Sequence, residues 1–215
     1  MDVSVIIVNF NTFDLTCKCI QSIYSKTTGC SFEIIIIDNG STERDAEDFI
    51  KHFPEIKLVK NRINAGFAKA NNLGLEVATG DFALLLNSDT EFINNAIYIC
   101  LQIIKRNHRI AGVGCQLTFR DGNIQHSCQR FPSIRYKLLE LFRVQKFLPS
   151  NIAGKLLLGF FFNHKEAIFP DWIWGTFFMF RRDLLLMLPG KRLAEDFFMY
   201  VEDMQWCKDF RTQGY

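Results

Sequence analysis

Residues 3–10 read VSVIIVNF, an apolar run that is rich in β-branched side chains. Such a run predicts a strand that is buried on both faces of a parallel sheet. Asn11 and Thr12 follow the run and can cap a helix, and the apolar residues after them recur at helical spacing. The beginning of the chain therefore predicts the strand and helix that open an α/β fold.

The alternation of strand and helix continues to residue 106. Further strands are predicted at 32–38, 56–60 and 82–86, and further helices at 43–52, 66–78 and 95–106. Thr42 and Asp45 resemble a capping box for the second helix, and Gly80 is expected to end the third helix in a left-handed conformation. The order βαβαβαβ predicts a mostly parallel central sheet flanked by helices on both faces.

The second half of the chain has a less regular pattern. Two strands around the turn Asp121-Gly122 predict a hairpin, residues 172–180 a further strand and residues 203–213 a final helix. The sequence has neither an internal repeat nor a flexible linker. We therefore expect a single domain over 1–215.

Composition excludes several classes of protein. The 215 residues are 48% hydrophobic, and 25 Lys and Arg against 23 Asp and Glu leave a net charge of +2, which does not favour nucleic-acid binding. Seven cysteines without a CxxC pair favour a reducing, cytoplasmic compartment. The first apolar run ends at Asn9 without a basic segment, so it does not resemble a signal peptide, and no apolar stretch is long enough to span a bilayer.

Basic residues are concentrated in one segment. Residues 130–165 contain seven Lys or Arg and a single acid, Glu140, among Leu and Phe side chains. This composition suits a surface that lies on anionic lipid. The alternative is an amphipathic helix that packs on the core with solvated basic side chains.

Polar residues follow all four strands of the first half, where open α/β sheets bind ligands. They are Asn9 and Asn11, then Asp38, Asn39 and Ser41, then Asn61 and Asn64, then Asn87, Ser88 and Asp89. Turn and cap propensities explain any one of these loops. Four such loops at one edge of the sheet favour a site that hydrogen-bonds a sugar or a base.

The glycine-rich loops that bind phosphates are missing, since neither GxxxxGK[ST] nor GxGxxG follows a strand. A bound nucleotide would then need a divalent ion such as Mg²⁺ or Mn²⁺ on its phosphates. Asp89 is the best-placed ligand and Glu91 a weaker second. The alternative is that Asp89 caps the turn.

Five segments together resemble the family 2 glycosyltransferases, in particular the rhamnosyltransferase-like branch that builds bacterial surface polysaccharides. They are DNGS at 38–41, NAGFA at 64–68 with Asn71 and Gly74, LNSDT at 86–90, Trp174-Gly175 with Arg181-Arg182, and FFMYVED at 197–203. Each is weak alone, but they occur in the family's order over nearly the whole chain.

The resemblance implies a GT-A fold with a Rossmann-like, nucleotide-sugar-binding half (1–107) and an acceptor half (108–215). It implies inverting transfer of a sugar from a nucleotide diphosphate sugar, a UDP- or dTDP-sugar, to a glycan or lipid-linked acceptor. The implied donor-binding residues are Asp38 at the base, Asn11, Asn64 and Asn87 along the nucleoside, Gly66 beside Asn64, and Gly175 near donor and acceptor. Asp89 matches the last acid of the family's DxD element and would hold the metal.

The resemblance also implies the catalytic residues, with Asp203 as general base and Glu202 beside it. Adjacent acids repel each other, which can raise one pKa to a value useful for proton transfer. The alternative is that acids at a helix start only interact with the helix dipole. Glu195 and Asp196 form the same dipeptide; we prefer Glu202-Asp203 because an aromatic run precedes it and a predicted helix follows.

The sequence departs from the family pattern at three points. Asn87 replaces the first acid of DxD, so metal affinity would depend on Asp89 and the phosphates. Residues 193–195 read LAE where the family has Phe-Asp-Glu. Many members continue past this point and place a metal-binding His there, so we expect a C-terminally shortened chain.

Two other functions are compatible with parts of the sequence. A sugar nucleotidyltransferase is disfavoured because no GxGTR-like loop follows the first strand. A non-catalytic nucleotide-binding or membrane-associated protein is the second alternative. His108, His126 and His164 are far apart in sequence, and we predict no role for them.

Overall fold

The computed structural model describes residues 1–215 as a succession of strands and helices. The strands are β1 Val3–Asn9, β2 Phe32–Asn39, β3 Lys57–Asn61, β4 Phe82–Asn87, β5 Gly112–Val113, β6 Leu117–Thr118, β7 Ile124–Gln125, β8 Cys128–Gln129, β9 Trp172–Ile173 and β10 Phe177–Arg181. The α-helices are α1 Phe13–Lys26, α2 Asp48–His52, α3 Phe67–Val77, α4 Ala96–Arg106, α5 Ile134–Leu141, α6 Ser150–Leu157 and α7 Glu202–Thr212.

The central sheet has six strands in the order β3-β2-β1-β4-β10-β5. The strands β3, β2, β1 and β4 are parallel to one another, whereas β10 runs antiparallel to β4 and to β5. The predicted α/β class with a mostly parallel sheet is therefore confirmed. The register places Asn9 opposite Asp38 and Val8 opposite Asn87, so the polar ends of three strands lie side by side.

The core is formed by the apolar strands and by the inner faces of the helices. Every side chain from Ile34 to Ile37 is buried in β2, because this strand has neighbours on both edges and helices on its faces. At the C-terminal end, Trp206 and Phe210 of α7 pack against Phe178 of β10, with ring centroids 6.1 and 6.4 Å apart. These contacts attach α7 to the sheet.

Two predicted helix signals are wrong. The helix expected over 43–52 begins only at Asp48, because the Asp45 carboxylate accepts a hydrogen bond from the Glu47 N–H in a turn. Gly80 does not have a left-handed conformation, and α3 ends at Val77, after which Ala78 is already extended. A Cβ on Gly80 would lie 2.6 Å from the Ser4 nitrogen, so this glycine permits a close approach of two backbones.

The chain divides into two compact units. One contains Met1–Val113 with Gly175–Tyr215, and the other contains Gly114–Trp174. Part of the predicted acceptor half, Gly175–Tyr215, thus shares a unit with the central sheet. The division into halves at residue 107 stays a prediction. None of the helices combines the length and apolarity that a bilayer crossing requires.

The unit Gly114–Trp174 contains the β6–β7 hairpin predicted around Asp121-Gly122, the β8–β9 pair, α5 and α6. Its histidines are not isolated, because Nδ1 of His126 and Nε2 of His164 are 3.2 Å apart. The folding of residues 126–164 brings the two rings together across 38 residues, which sequence spacing could not indicate.

Candidate active site

The end of β1 is organised by a buried asparagine. The Asn9 amide nitrogen donates to the Asp38 carboxylate Oδ1 (2.9 Å) and the Ser41 hydroxyl (3.0 Å). Its amide oxygen accepts from the hydroxyls of Thr12 and Thr16, both at 3.0 Å. Asn9 therefore joins Asp38 to the start of α1. The sequence signal for this role was a single amide at the end of an otherwise apolar run.

A second asparagine cluster shapes the loop between β3 and α3. The Asn39 amide nitrogen donates to Asn64 Oδ1 (2.8 Å), which also accepts the N–H of Gly66 (3.0 Å). Gly66 has φ +87°, and a Cβ there would lie 2.5 Å from the Phe198 carbonyl oxygen, so only glycine fits. The structure thus brings Asn64 and Gly66 together beside the end of β2, with Asn39 as the connecting residue.

Asn11 lies in the exposed loop between β1 and α1. Its backbone is left-handed, with φ 54°. Its side-chain oxygen accepts the N–H groups of Thr42 (2.8 Å) and Glu43 (3.3 Å), and its own N–H donates to the Ser41 hydroxyl (3.1 Å). The Asn11 side-chain oxygen therefore holds the loop after β2 in place at the edge where Asp38 lies.

The loop after β4 presents Asp89 to solvent. The Asn87 carbonyl accepts the Thr90 hydroxyl (2.9 Å), and the Asn87 N–H donates to the Thr176 carbonyl (3.1 Å). Asp89 is exposed and makes neither a hydrogen bond nor an ion pair. The alternative that Asp89 caps the turn is wrong, because Thr90 supplies the side-chain bond.

The donor groups near Asp89 fit one kind of metal site. No three His, Cys, Asp or Glu side chains lie close enough to one another to hold an ion by themselves. Mg²⁺ is commonly held by one or two carboxylates together with substrate phosphates. Asp89, whose oxygens are not engaged by other protein groups, fits such an ion, and Asn87, two residues before it, has a neutral amide oxygen.

Asp203 lies in the first turn of α7 and is held by two backbone donors. Its Oδ2 accepts the N–H of Gly175 (2.9 Å) and its Oδ1 accepts the N–H of Met204 (2.8 Å). Burial raises the pKa of Asp203, and the two N–H groups oppose that effect. The result is a carboxylate of fixed orientation whose proton affinity is above that of a solvated Asp.

Glu202 differs from its neighbour in its surroundings. The residue is only 6% exposed, and its buried Oε2 has no hydrogen-bond partner. Burial raises the pKa of Glu202, and the negative charge of Asp203 adds to that effect. Repulsion from Asp203 thus raises the pKa of Glu202, as the sequence led us to expect, but burial is the larger cause for both residues.

Glu195, one residue of the alternative acidic pair, has a structural role in this fold. Glu195 accepts the Asn72 amide (2.8 Å) and pairs with Arg192 (3.5 Å). Asn72 also exchanges hydrogen bonds with both backbone groups of Leu193, at 2.9 and 3.1 Å. Glu195 therefore helps to attach this segment to α3, which favours Glu202-Asp203 as the chemical pair.

The loop that contains Asp89 and the carboxylate of Asp203 are hydrogen-bonded to two consecutive residues, Thr176 and Gly175. Thr176 receives the Asn87 N–H, and Gly175 donates to Asp203. Both tethers lie just before β10, which pairs with β4 from its first residue, Phe177, opposite Leu86. The metal-ligand and base candidates therefore belong to the same end of the central sheet.

Comparison with known proteins places this arrangement in a family. The family model described as glycosyl transferase family 2 matches residues 4–186. The chain is 36% identical to an uncharacterized glycosyltransferase of Escherichia coli, YibD, over 91 residues, which are 41% of this chain and 26% of that protein. It is 27% identical to glycosyltransferase GlyG of Streptococcus pneumoniae over 126 residues, 56% of this chain and 42% of that protein. The chain thus spans less than half the length of these relatives.

Two solved structures share the fold at low identity. A mannosyltransferase of Pyrobaculum calidifontis, PcManGT, in complex with GDP-Man and Mn²⁺, superposes with a TM-score of 0.67 at 17% identity over 99% of this chain and 52% of that chain. Residues 1–349 of S. aureus TarS give 0.64 at 17% identity over 98% and 55%. These likenesses confirm the GT-A fold, while the rhamnosyltransferase-like branch stays a prediction. Because the family model covers most of its length, the chain belongs to glycosyltransferase family 2.

Proposed function

We propose that this chain transfers a sugar, with inversion, from a nucleotide diphosphate sugar to a saccharide acceptor. The observation that carries the proposal is the half-buried Asp203 carboxylate, held by Gly175 and Met204 next to the tether of the Asp89 loop. The likeness to a mannosyltransferase with GDP-Man and Mn²⁺ supports a nucleotide-sugar donor and a divalent ion. UDP- and dTDP-sugars are the donors that we propose.

In the proposed reaction, an acceptor hydroxyl attacks the anomeric carbon from the face opposite the diphosphate. A new carbon–oxygen bond forms, the bond to the diphosphate breaks, and Asp203 receives the hydroxyl proton. The raised pKa of Asp203 suits it to this task, because a general base works best when its pKa approaches the working pH. Glu202 would provide a second carboxyl group beside Asp203.

On the donor side, the Asp38 carboxylate would accept an N–H of the nucleobase, and the amides of Asn11, Asn64 and Asn87 would lie along the nucleoside. Gly66 and Gly175 would lie along the bound donor. Asp89 would hold Mg²⁺ or Mn²⁺. When bound, the ion would neutralise charge that develops on the departing diphosphate.

We further propose that residues 130–165 contact the cytoplasmic face of a membrane and that the acceptor is lipid-linked. Helix α5 buries none of its side chains, so it lacks the core-facing stripe of an ordinary amphipathic helix. Large apolar side chains of the segment are exposed, including Phe147 at 85%, among seven basic residues. Apolar and basic side chains together favour an anionic lipid surface.

A surface-polysaccharide role is the pathway class that we propose. It is supported by a match to the O-antigen biosynthesis protein RfbC of Myxococcus xanthus, which is 27% identical over 127 residues, 58% of this chain and 10% of that protein.

The products of turnover test the proposed reaction. The chain is incubated with Mn²⁺, a panel of UDP-, dTDP- and GDP-sugars, and extracted bacterial lipid. Release of nucleoside diphosphate with transfer of the sugar is expected. Release of pyrophosphate would instead indicate a nucleotidyltransferase, and donor binding without transfer would indicate a non-catalytic protein.

Calorimetry tests the proposed metal ligand separately. Asp89→Ala should abolish the part of donor affinity that depends on Mn²⁺, because it removes the only charged ligand that we assign to the ion. The control is Asp14→Ala, which removes an exposed carboxylate on α1. Unaltered Mn²⁺-dependent affinity in Asp89→Ala would contradict the ligand role.

A further inference from the structure

A chain of side-chain hydrogen bonds runs between two loops of the candidate active site. It begins at the Ser88 hydroxyl, which is 3.0 Å from the Thr12 hydroxyl. Thr12 donates to the Asn9 amide oxygen (3.0 Å), and the Asn9 amide nitrogen donates to Asp38 Oδ1 (2.9 Å). Ser88 directly precedes Asp89, so the chain connects the residues proposed for base recognition and for metal binding.

The direction of these bonds follows from counting protons. The Thr12 hydroxyl has a single hydrogen, and Asn9 Oδ1 can only accept, so that hydrogen points to Asn9. Ser88 must then donate to Thr12. Every donor in the chain is therefore oriented toward the Asp38 carboxylate, and hydrogen bonds aligned in this way strengthen one another.

The contacts of Asp38 leave one oxygen less engaged than the other. Oδ1 receives the buried Asn9 bond at 2.9 Å, whereas Oδ2 receives only the Ser41 N–H at 3.3 Å. Asn9 is 1% exposed and cannot itself meet a ligand. Its effect on a ligand must be exerted through Asp38.

We propose that Asn9 is a positioning residue that orients Asp38 toward the nucleobase and, through Thr12 and Ser88, couples base recognition to the loop that carries Asp89. This inference rests on the proposed function, because it assumes a nucleoside diphosphate at this edge of the sheet. A purely structural Asn9 would satisfy the same buried groups but would not influence which base is preferred.

Substitutions at the end of the hydrogen-bond series that lies away from Asp38 test the proposal without removing the buried Asn9 amide. Thr12→Val keeps the shape of the side chain but removes the hydroxyl in the middle of this series of hydrogen bonds. Ser88→Ala removes the hydroxyl that is the first donor of the series. Dissociation constants are measured with Mn²⁺ for UDP, dTDP, GDP and pyrophosphate, the last of which lacks a base. The control is Ser25→Ala, which removes an exposed hydroxyl bond within α1.

We expect Thr12→Val and Ser88→Ala to weaken the affinity for the preferred nucleoside diphosphate by about tenfold. This is the effect of one hydrogen bond in a network that ends on a charged group. Discrimination among bases should fall, pyrophosphate affinity should be unchanged, and Ser25→Ala should match the native chain. Asn9→Ala should show the larger loss of discrimination if it folds.

Three results would overturn the inference in distinguishable ways. If the native chain binds no nucleoside diphosphate, both the proposed function and the inference are rejected. If it binds them without preference, or if the variants retain the native preference, only the inference is rejected. Equal weakening of the affinity for all four ligands, pyrophosphate included, would indicate that these hydrogen bonds have only a structural role. That result would also reject the inference.

Discussion

Asp203 is the residue whose surroundings most restrict its chemistry. Two backbone N–H groups, one from Met204 in its own helix and one from Gly175, fix both carboxylate oxygens. Burial and these bonds act in opposite directions on the pKa, with burial the larger effect. The carboxylate is therefore oriented precisely while its affinity for a proton remains raised.

Substitution of Asp203, the proposed base, should separate chemistry from binding. Asp203→Asn keeps an oxygen that can accept the Gly175 N–H but removes the basic group, so we expect kcat to fall by about 10²- to 10⁴-fold. Donor affinity, measured by calorimetry, should stay unchanged. The matched control is Asp209→Asn on the same helix, because burial also raises the pKa of Asp209. Normal turnover in Asp203→Asn would assign the base elsewhere.

Glu202 should make stability depend on pH. Its pKa is raised by burial, so between the usual and the raised value the folded chain holds a proton that the unfolded chain has released. The stability associated with this group is thus present at low pH and is lost as the pH rises through that window. Glu202→Gln cannot titrate, so its free energy of unfolding relative to the native chain should increase as the pH rises above the usual pKa of a glutamate.

Urea unfolding at several pH values measures this difference. The control is Glu76→Gln, which removes a solvent-exposed carboxylate from α3. A difference between Glu202→Gln and the native chain that is constant with pH would contradict the assigned role of burial.

At the scale of elements, the contacts of the segment before α7 explain how a long loop can hold the Asp203 carboxylate in a fixed position. Asn72 holds Leu193, the Trp206 indole donates to the Ala194 carbonyl (3.0 Å), and the Phe67 N–H donates to the Phe198 carbonyl (2.9 Å). These anchors come from α3 and α7. They fix the path of the chain into the first turn of α7, where the acids lie.

The entry into α7 is strained, and relieving the strain should stabilise the protein. Val201 has φ 74°, a conformation that is unfavourable for a β-branched residue. Val201→Gly should raise the free energy of unfolding by about 1 kcal/mol, because relief of strain outweighs the greater freedom of glycine in the unfolded chain. Denaturant unfolding checks this.

The control for this prediction is Val77→Gly. Val77 is as exposed as Val201, at 40% against 41%, but lies in α3 with ordinary helical geometry. There the substitution should lower stability by roughly 0.5 kcal/mol. Destabilisation of similar size at both positions would show that Val201 is not strained.

For the whole molecule, the distribution of charge predicts which segment would contact an anionic membrane. Seven of its 25 basic residues and one of its 23 acids lie in 130–165, so the rest of the chain is net acidic. Replacing Lys137, Arg143 and Lys146 with Ala should weaken binding to anionic vesicles roughly a hundredfold, since each basic residue contributes about 1 kcal/mol near such a surface. Flotation with phosphatidylglycerol vesicles measures the loss.

A variant with the same change in net charge tests whether position matters. Alanine at Lys18, Lys26 and Lys69 removes three exposed lysines from the unit that contains the central sheet. This variant should float like the native chain. Unchanged flotation of the Lys137, Arg143 and Lys146 variant, or equal losses in both, would contradict a membrane surface at 130–165.

The sequence by itself determined the class of fold and the edge of the sheet where the candidate active site lies. Apolar runs of strand length alternating with helical periodicity predict the parallel strands, because burial imposes these periods locally. The polar residues at the strand ends marked Asp38, Asn87 and Asp89, since parallel strands end at one edge. The ordered motifs pointed to the family that the comparison confirmed.

Only the tertiary structure decided which polar groups engage one another. The Gly175–Asp203 bond spans 28 residues, and Asn72 reaches Glu195 across 123, so local spacing could not show that Glu195 contacts the framework or that Gly175 holds Asp203. Asn9 was visible as a polar residue, but its four partners depend on strand register and on the position of α1. Hydrogen-bond partners are set by packing between distant segments, whereas periodicity reports only which face of a segment is buried.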